Sequence, residues 1–264
     1  MASLSAVMIV KDEARGLEPA LAALDWADEI VVVDAGSRDD TVAIARRHTD
    51  RVFVESDWQG YGIQRRRAQA RASGDWLLWI DADEIVTPAL ADEIRAAVAR
   101  DDRTVAFELP RLSWVFGRFI RHGGWYPDPV LRLYPAGRGR YSDALVHEHV
   151  ELAPGMQVER LREPLLHYTY RDMQHYLVKS AAYARAWADT RERQGRSASL
   201  LQGLLHGSGC FLRMYVLRAG FLDGPQGLLL ALLSAHSTFV KYADLWTRRQ
   251  PRPLDEQSAE RKDE

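Results

Sequence analysis

The sequence predicts an α/β fold, a mostly parallel central sheet flanked by helices on both faces, with a C-terminal helical extension. Three observations carry this reading. Over roughly the first 100 residues, short β-rich apolar runs alternate with segments whose apolar residues recur at helical spacing. Residues 104–170 then carry short β-like segments separated by Gly, Pro and aromatic residues. Residues 171–247 read as helical throughout.

Each element follows in order. "LSAVMIV" (4–10) is apolar without alternation, as a strand buried on both faces must be. "GLEPALAALDWA" (16–27) has helical spacing, and "EIVVVDAGS" (29–37) is a second strand ending in Asp34 and a Gly-Ser turn. "RDDTVAIARRH" (38–48) reads as a helix with Asp39 or Asp40 near its start. "RVFVES" (51–56) is the third strand, and "YGIQRRRAQARAS" (61–73) is a helix stopped by Gly74. "DWLLWIDADE" (75–84) reads as the fourth strand, and "PALADEIRAAVAR" (88–100) as a helix with Pro88 in its first turn. "TVAFELP", "VLRLYP" and "PLLHYTY" complete the sheet, and the charged, proline-containing tail 248–264 reads as frayed.

Composition narrows the function classes. The chain has 264 residues, 47% of them hydrophobic, enough for a sizeable core. Its 35 basic and 37 acidic residues nearly balance, so bulk charge gives no sign of a nucleic-acid partner. One cysteine, Cys210, excludes an intrachain disulfide framework and fits a reducing compartment. The N-terminal apolar run lacks a preceding charged region and reads as a strand, not a signal peptide. No stretch reaches the roughly 18 apolar residues that span a bilayer. No G-x-G-x-x-G follows the first strand, which disfavours a nicotinamide-dependent oxidoreductase.

In such sheets ligands bind beyond the carboxyl ends of the strands. Asp34, Asp81 and Asp83 fall at such ends, and Glu13 in "VKDEA" follows the first strand. Two readings fit "DADE" (81–84): an acidic turn that caps the helix at Pro88, or an oxygen-rich site for a hard divalent cation. Four acids gathered at one crevice repel one another unless a cation or donor groups lie among them. A nucleotide diphosphate with its metal meets that need.

The segments "SAVMIVKDEARGLEPALAALDWADEIVVVDAGSRDDTVAIARRH" and "GDWLLWIDADE" resemble glycosyltransferase family 2. "GGWYPDPVLRLYP" (123–135), "LVHEHV" (145–150), "LLHYTYRD" (165–172) and "GFLDGPQGLLLA" (220–231) extend the likeness toward bacterial lipopolysaccharide core β-1,4-glucosyltransferases, over nearly the whole chain. The resemblance implies a GT-A, Rossmann-like catalytic domain over 1–170, with a nucleotide-sugar-binding half at 1–103 and an acceptor-side half at 104–170. A helical region at 171–247, with possible membrane association, and the tail at 248–264 follow.

It further implies an inverting, metal-dependent transfer of a sugar, glucose first, from a UDP-sugar to a heptose of the lipopolysaccharide inner core. Asp34, Glu13, Arg65 and Asp81 are then nucleotide-sugar-binding. Asp81 and Asp83 form the DXD pair, with His147 completing the sphere of Mg²⁺ or Mn²⁺. The family's usual acid pair is missing from its place, so Asp128 and Glu148 both stand as candidates for the catalytic base. Other readings keep the family but change the acceptor to another glycan, a lipid carrier or a peptide, or make the chain a silent nucleotide-sugar-binding partner.

The remaining candidates have two readings each. Trp125 and Tyr126 either stack on an acceptor sugar or pack in the core. Arg132 either contacts an anionic phosphate of acceptor or donor, or forms a surface salt bridge. Arg65, in the basic run "QRRRAQAR", either approaches the diphosphate or lies on a solvated helix face. His167 reads first as a satisfied buried histidine and otherwise as a residue touching the site, and Cys210 as inert. "FLRMYVLRAGF" interleaves arginines with large apolar residues, which suits an anionic membrane surface, helix packing or a dimer interface. The implied location is cytoplasmic, peripheral on the inner membrane.

Overall fold

The computed structural model describes residues 2–142, 149–170 and 172–250. The chain divides into two compact units, Met1–Trp114 with Trp125–Thr169 and Val115–Gly124 with Tyr170–Glu264.

The first unit opens with β1 (Leu4–Val10), α1 (Ala14–Ala22), β2 (Glu29–Asp34), α2 (Thr41–His48), β3 (Val52–Val54), α3 (Tyr61–Gln69) and β4 (Trp76–Trp79). It continues through β5 (Glu84–Val86), α4 (Pro88–Ala99) and β6 (Val105–Val115). After the excursion that carries β7 (Arg118–Phe119) come β8 (Asp128–Pro135), β9 (Gly139–Tyr141), β10 (Val150–Leu152), β11 (Gln157–Arg160) and β12 (Leu165–His167). The main sheet runs β3-β2-β1-β4-β8-β6-β12-β5, while β9 and β10 pair separately. Its first four strands are mutually parallel. β8 runs against both β4 and β6, β12 is parallel to β6, and β5 is antiparallel to β12.

Both faces of the parallel half are dry, which accounts for the unbroken apolar runs. Leu4, Ala6, Met8 and Val10 of β1 pack with Leu17 and Leu21 of α1 and Leu90 and Ile94 of α4. Val7 faces the opposite way and packs with Val33, Leu77, Trp79, Tyr134 and Ala68 of α3. The expected α/β class, with helices flanking a central sheet and a helical C-terminal region, is the one observed.

Several boundaries move. The fourth strand does not reach Glu84: β4 ends at Trp79, the chain turns with Glu84 N–H bonded to Asp81 O at 3.0 Å, and Glu84 opens β5 at the far edge of the sheet. α2 starts at Thr41, because Asp39 spends its carboxylate on the N–H groups of Thr41 and Ala14, at 3.1 Å each. α4 begins as expected at Pro88, where Thr87 Oγ1 accepts from Leu90 N–H at 3.2 Å, a cap worth about 1 kcal/mol.

The second unit holds β7, α5 (Met173–Arg193), α6 (Leu200–Leu212), a π-helical turn over Arg213–Leu217, a 3₁₀ turn over Gly220–Asp223, and α7 (Gly224–Thr247). Asp172 caps α5 through His175 N–H at 2.7 Å, and Ser199 with Gln202 forms a capping box on α6. Arg248 binds Asp189 and Glu192 of α5 and Asp244 of α7, at 2.6, 2.8 and 3.0 Å. Val115–Gly124, read from sequence as part of the acceptor-side half, groups with these helices. The reason is local: Arg121 and His122 give their N–H groups to Asp223, and Gly123 N–H bonds Arg218 O at 2.8 Å.

Candidate functional site

Strand order reverses between β1 and β4, and in an open sheet that point leaves a crevice at the carboxyl ends. Val10 pairs with Asp34, and Val7 with Trp79, so the chain leaves β4 toward Asp81 at the level where β2 ends in Asp34. Two loops at this mouth are stitched together. Asp12 N–H bonds Ser37 Oγ, Arg38 N–H bonds Asp12 Oδ1, and Glu13 N–H bonds Thr41 Oγ1, each at 2.8 Å. Glu13 itself is exposed on this rim. Asp34 is only 1% exposed; its Oδ2 accepts from Gly36 and Ser37 N–H at 2.9 Å, and its Oδ1 from the Ser37 hydroxyl. Asp34 therefore shapes the turn after β2.

Beside it, six charged side chains alternate in sign from Asp128 through Arg111, Glu84, Arg132 and Asp81 to Arg65. Arg111 Nη2 lies 2.6 Å from Asp128 Oδ2, and its Nη1 is 3.6 Å from Glu84 Oε1. Arg132 Nη2 donates to Glu84 Oε1 at 2.7 Å and also to Asp81 Oδ2. Arg65 donates to Asp81 Oδ1 at 2.7 Å, and its guanidinium lies 4.9 Å from the Tyr141 ring centre. Glu84 also accepts the Asp81 N–H at 2.9 Å, bracing the turn from below. Burial alone would raise the Asp81 pKa, but the charges of Arg132 and Arg65 overcome it and hold that carboxyl far below its ordinary range. Burial likewise opposes the charge of both arginines. The Asp81 carboxylate, joined at Arg132 by Glu84, leads the contacts that together overcome it, so Arg65 lies above its usual value and Arg132 well above.

This arrangement corrects two expectations. Arg132, read as contacting an outside phosphate or forming a surface salt bridge, is 5% exposed and pairs with the buried Glu84 and the half-buried Asp81. Arg65 is buried against Asp81, not on a solvated helix face. The mutual repulsion of the acids is also met within the protein: Asp34 by backbone N–H groups, Asp81 by two guanidiniums. Repulsion at these two acids consequently gives no argument for a cation.

Asp83 is different. Its side chain keeps 42% of its surface, and one oxygen lies 3.4 Å from Nε2 of His167. Nδ1 of His167 is in turn 3.2 Å from Ser113 Oγ. The sheet sets this row, since His167 pairs with Ser113 on β6 and with Glu84 on β5. The two DXD acids thus turn to different partners, Asp81 to the arginines and Asp83 to His167. Among the described residues no three of His, Cys, Asp and Glu gather as a metal cage. One carboxylate and one imidazole nonetheless fit a Mg²⁺ or Mn²⁺ ion that takes phosphate and water oxygens for the rest of its sphere.

Asp128 stands at the start of β8, cross-strand from Arg111, and both Arg111 contacts go to Oδ2, leaving Oδ1 outside the pair. Trp125 and Tyr126 are half-buried just before it. His147 and Glu148 lie outside the described residues. Arg111, Ser113 and the position of His167 beside Asp83 escaped the sequence reading. A signal was present for His167: it ends a strand parallel to β6, as Asp34 ends β2.

The family model for glycosyl transferase family 2 matches residues 5–152, more than half of the chain. The chain is 28% identical over 257 residues to the lipopolysaccharide core biosynthesis glycosyltransferase LpsC of Rhizobium meliloti (strain 1021), covering 91% of this chain and 93% of the relative. It is 33% identical over 148 residues to glucosyl-3-phosphoglycerate synthase of Petrotoga mobilis, covering 52% of this chain and 39% of the relative. Among solved structures, glucosyl-3-phosphoglycerate synthase of Mycobacterium tuberculosis with Mn²⁺, UDP-glucose and phosphoglyceric acid matches at a TM-score of 0.36 and 24% identity, over 40% of this chain and 43% of that one. With a strand-end crevice and a family match spanning most of the first unit, the chain belongs to glycosyl transferase family 2 and is a glycosyltransferase.

Proposed function

We propose that this glycosyltransferase moves a glucosyl group, with inversion and with a divalent cation, from UDP-glucose to a heptose of the lipopolysaccharide inner core. The observation that carries the reading is the pair Asp83 and His167, 3.4 Å apart, with Asp83 left accessible while Asp81 is held by Arg65 and Arg132. The name of the Rhizobium relative supports the acceptor class, and that of the Petrotoga relative the glucosyl group.

In this reading Asp83 and His167 would hold the cation, with His147 a further candidate. A proton on His167 Nδ1, donated to Ser113 Oγ, leaves Nε2 as the lone-pair donor. Bound there, the cation supplies positive charge that stabilises the departing diphosphate. Glu13 and the turn shaped by Asp34 line the nucleotide side. Asp81, fixed from two directions, presents a rigid acceptor for donor hydroxyls. Asp128 takes the acceptor hydroxyl proton through the oxygen that Arg111 leaves outside its pair, and Glu148 is the other candidate for that role. Trp125 and Tyr126 border the acceptor. The first unit carries the chemistry, and the protein works at the cytoplasmic surface of the inner membrane.

The test is transfer by the purified chain to a soluble heptose-bearing core oligosaccharide, followed by mass spectrometry, with UDP-glucose, UDP-galactose, UDP-N-acetylglucosamine and a GDP-sugar as donors. The expected result is a hexose added from UDP-glucose with Mg²⁺ or Mn²⁺ and none with chelator. Transfer indifferent to chelator, or from another donor only, overturns the reading.

A further inference from the structure

The second unit contains a rigid elbow between α6 and α7. Among the described residues no single helix is long and apolar enough to cross a membrane, whereas Leu200–Leu217 and Gly220–Thr247 together are, with a 73° bend between them. The bend is built in. Ala219 sits in the left-handed region at φ +53°. A Cβ on Gly227 would lie 1.9 Å from Gly220 O, so only glycine permits this approach. Asp223, 2% exposed, clamps the elbow by accepting His122 N–H at 2.7 Å and Arg121 N–H at 3.1 Å.

What the elbow presents is apolar. Leu217 is 74% exposed, and Leu212, Val216, Phe221 and Leu222 are each about half exposed. A patch of this kind on a fixed scaffold marks a docking surface. Its charges are of one sign: residues 211–222 contain Arg213 and Arg218, both exposed, and no acid.

We infer that this elbow is the wedge by which the protein docks on an anionic lipid surface, entering one leaflet without crossing it. The apolar side chains take the acyl boundary, and Arg213 and Arg218 take lipid phosphates. A second copy of the chain fits less well, because a two-fold contact through this patch would bring arginines to arginines with no acid to meet them. The 73° bend also opposes a straight span. The inference deepens the membrane-surface reading above and rests on it.

The experiment is flotation of the full chain with vesicles of phosphatidylcholine alone or mixed with phosphatidylglycerol. The wild type should float with the anionic vesicles and less so in high salt. Leu217→Glu with Phe221→Glu should abolish flotation, and Arg213→Glu with Arg218→Glu should weaken it about tenfold or more. Circular dichroism and transfer to the soluble oligosaccharide should be unchanged in all of these variants. An environment-sensitive dye on Leu217→Cys, in a Cys210→Ser background, should shift to the blue on anionic vesicles. Undiminished flotation of the Leu217/Phe221 variant, or a dye that does not respond, overturns the wedge. So does a wild type that ignores vesicles and forms dimers that Leu217→Glu splits. Soluble transfer without vesicle binding removes the docking proposal alone, and vesicle binding without transfer removes the proposed function alone.

Discussion

Arg132 and Glu84 form an enclosed ion pair: Nη2 meets Oε1 at 2.7 Å, and the Glu84 side chain has no exposed surface. The same guanidinium group reaches Asp81, so one buried cation ties the end of β4 to the start of β5. The turn that displays Asp83 hangs between these two fixed points.

Removing that cation takes the nearest partner from the enclosed Glu84, which keeps only Arg111 at 3.6 Å, and leaves Asp81 with Arg65 alone. Breaking a buried pair by deleting one partner costs about 3–5 kcal/mol, and Arg132→Met should lose stability in that range by urea unfolding. A loss below about 1 kcal/mol would show that the network contributes little.

The low pKa of Asp81 also sets a pH dependence. Its folded value lies below the ordinary 3.8 despite burial, because of Arg132 and Arg65. The unfolded chain therefore binds this proton first, and the stabilisation is fully present above about pH 4 and lost progressively as pH falls below it. Asp81→Asn should be less stable than wild type near neutral pH, with the gap closing in acid. A gap unchanged between about pH 7 and pH 3 would contradict the assignment.

Ser113 Oγ lies 3.2 Å from His167 Nδ1, and in the proposed reading it would act through that ring rather than on substrate. Ser113→Ala should weaken Mn²⁺ affinity about 10–100-fold, measured by calorimetry in the presence of UDP, while the fold stays intact. Unchanged Mn²⁺ affinity would separate His167 from the cation.

Asp128→Asn should still bind donor but lose the chemical step, lowering kcat by about 10²–10⁴-fold. The same change in Glu148→Gln with a wild-type rate in Asp128→Asn would move the base to Glu148.

The parallel half of the sheet was legible because its strands are local, apolar on both faces and separated by helices of the expected period. Asp34 was legible as an acid at a strand end, and Asp83 as an acid beyond one, in the turn after β4. Arg132, Arg111 and His167 were not, because their meaning depends on distant pairings. β8 must lie between β4 and β6, and β12 between β6 and β5, before Arg132 reaches Glu84 or His167 reaches Asp83. The strand through 75–84 was over-extended for the same reason: nothing local distinguishes Glu84 continuing one strand from Glu84 opening another at the opposite edge.

The central claim is that Asp83 and His167 hold the cation that goes with the nucleotide. Its most direct test is calorimetric titration of UDP-glucose into folded wild type, Asp83→Asn and His167→Gln, each with Mn²⁺ and with chelator. Wild type should bind strongly with Mn²⁺ and lose that binding with chelator, and both variants should lose the Mn²⁺ dependence. Wild-type binding that ignores Mn²⁺, or variants that keep the full Mn²⁺ dependence, would contradict it.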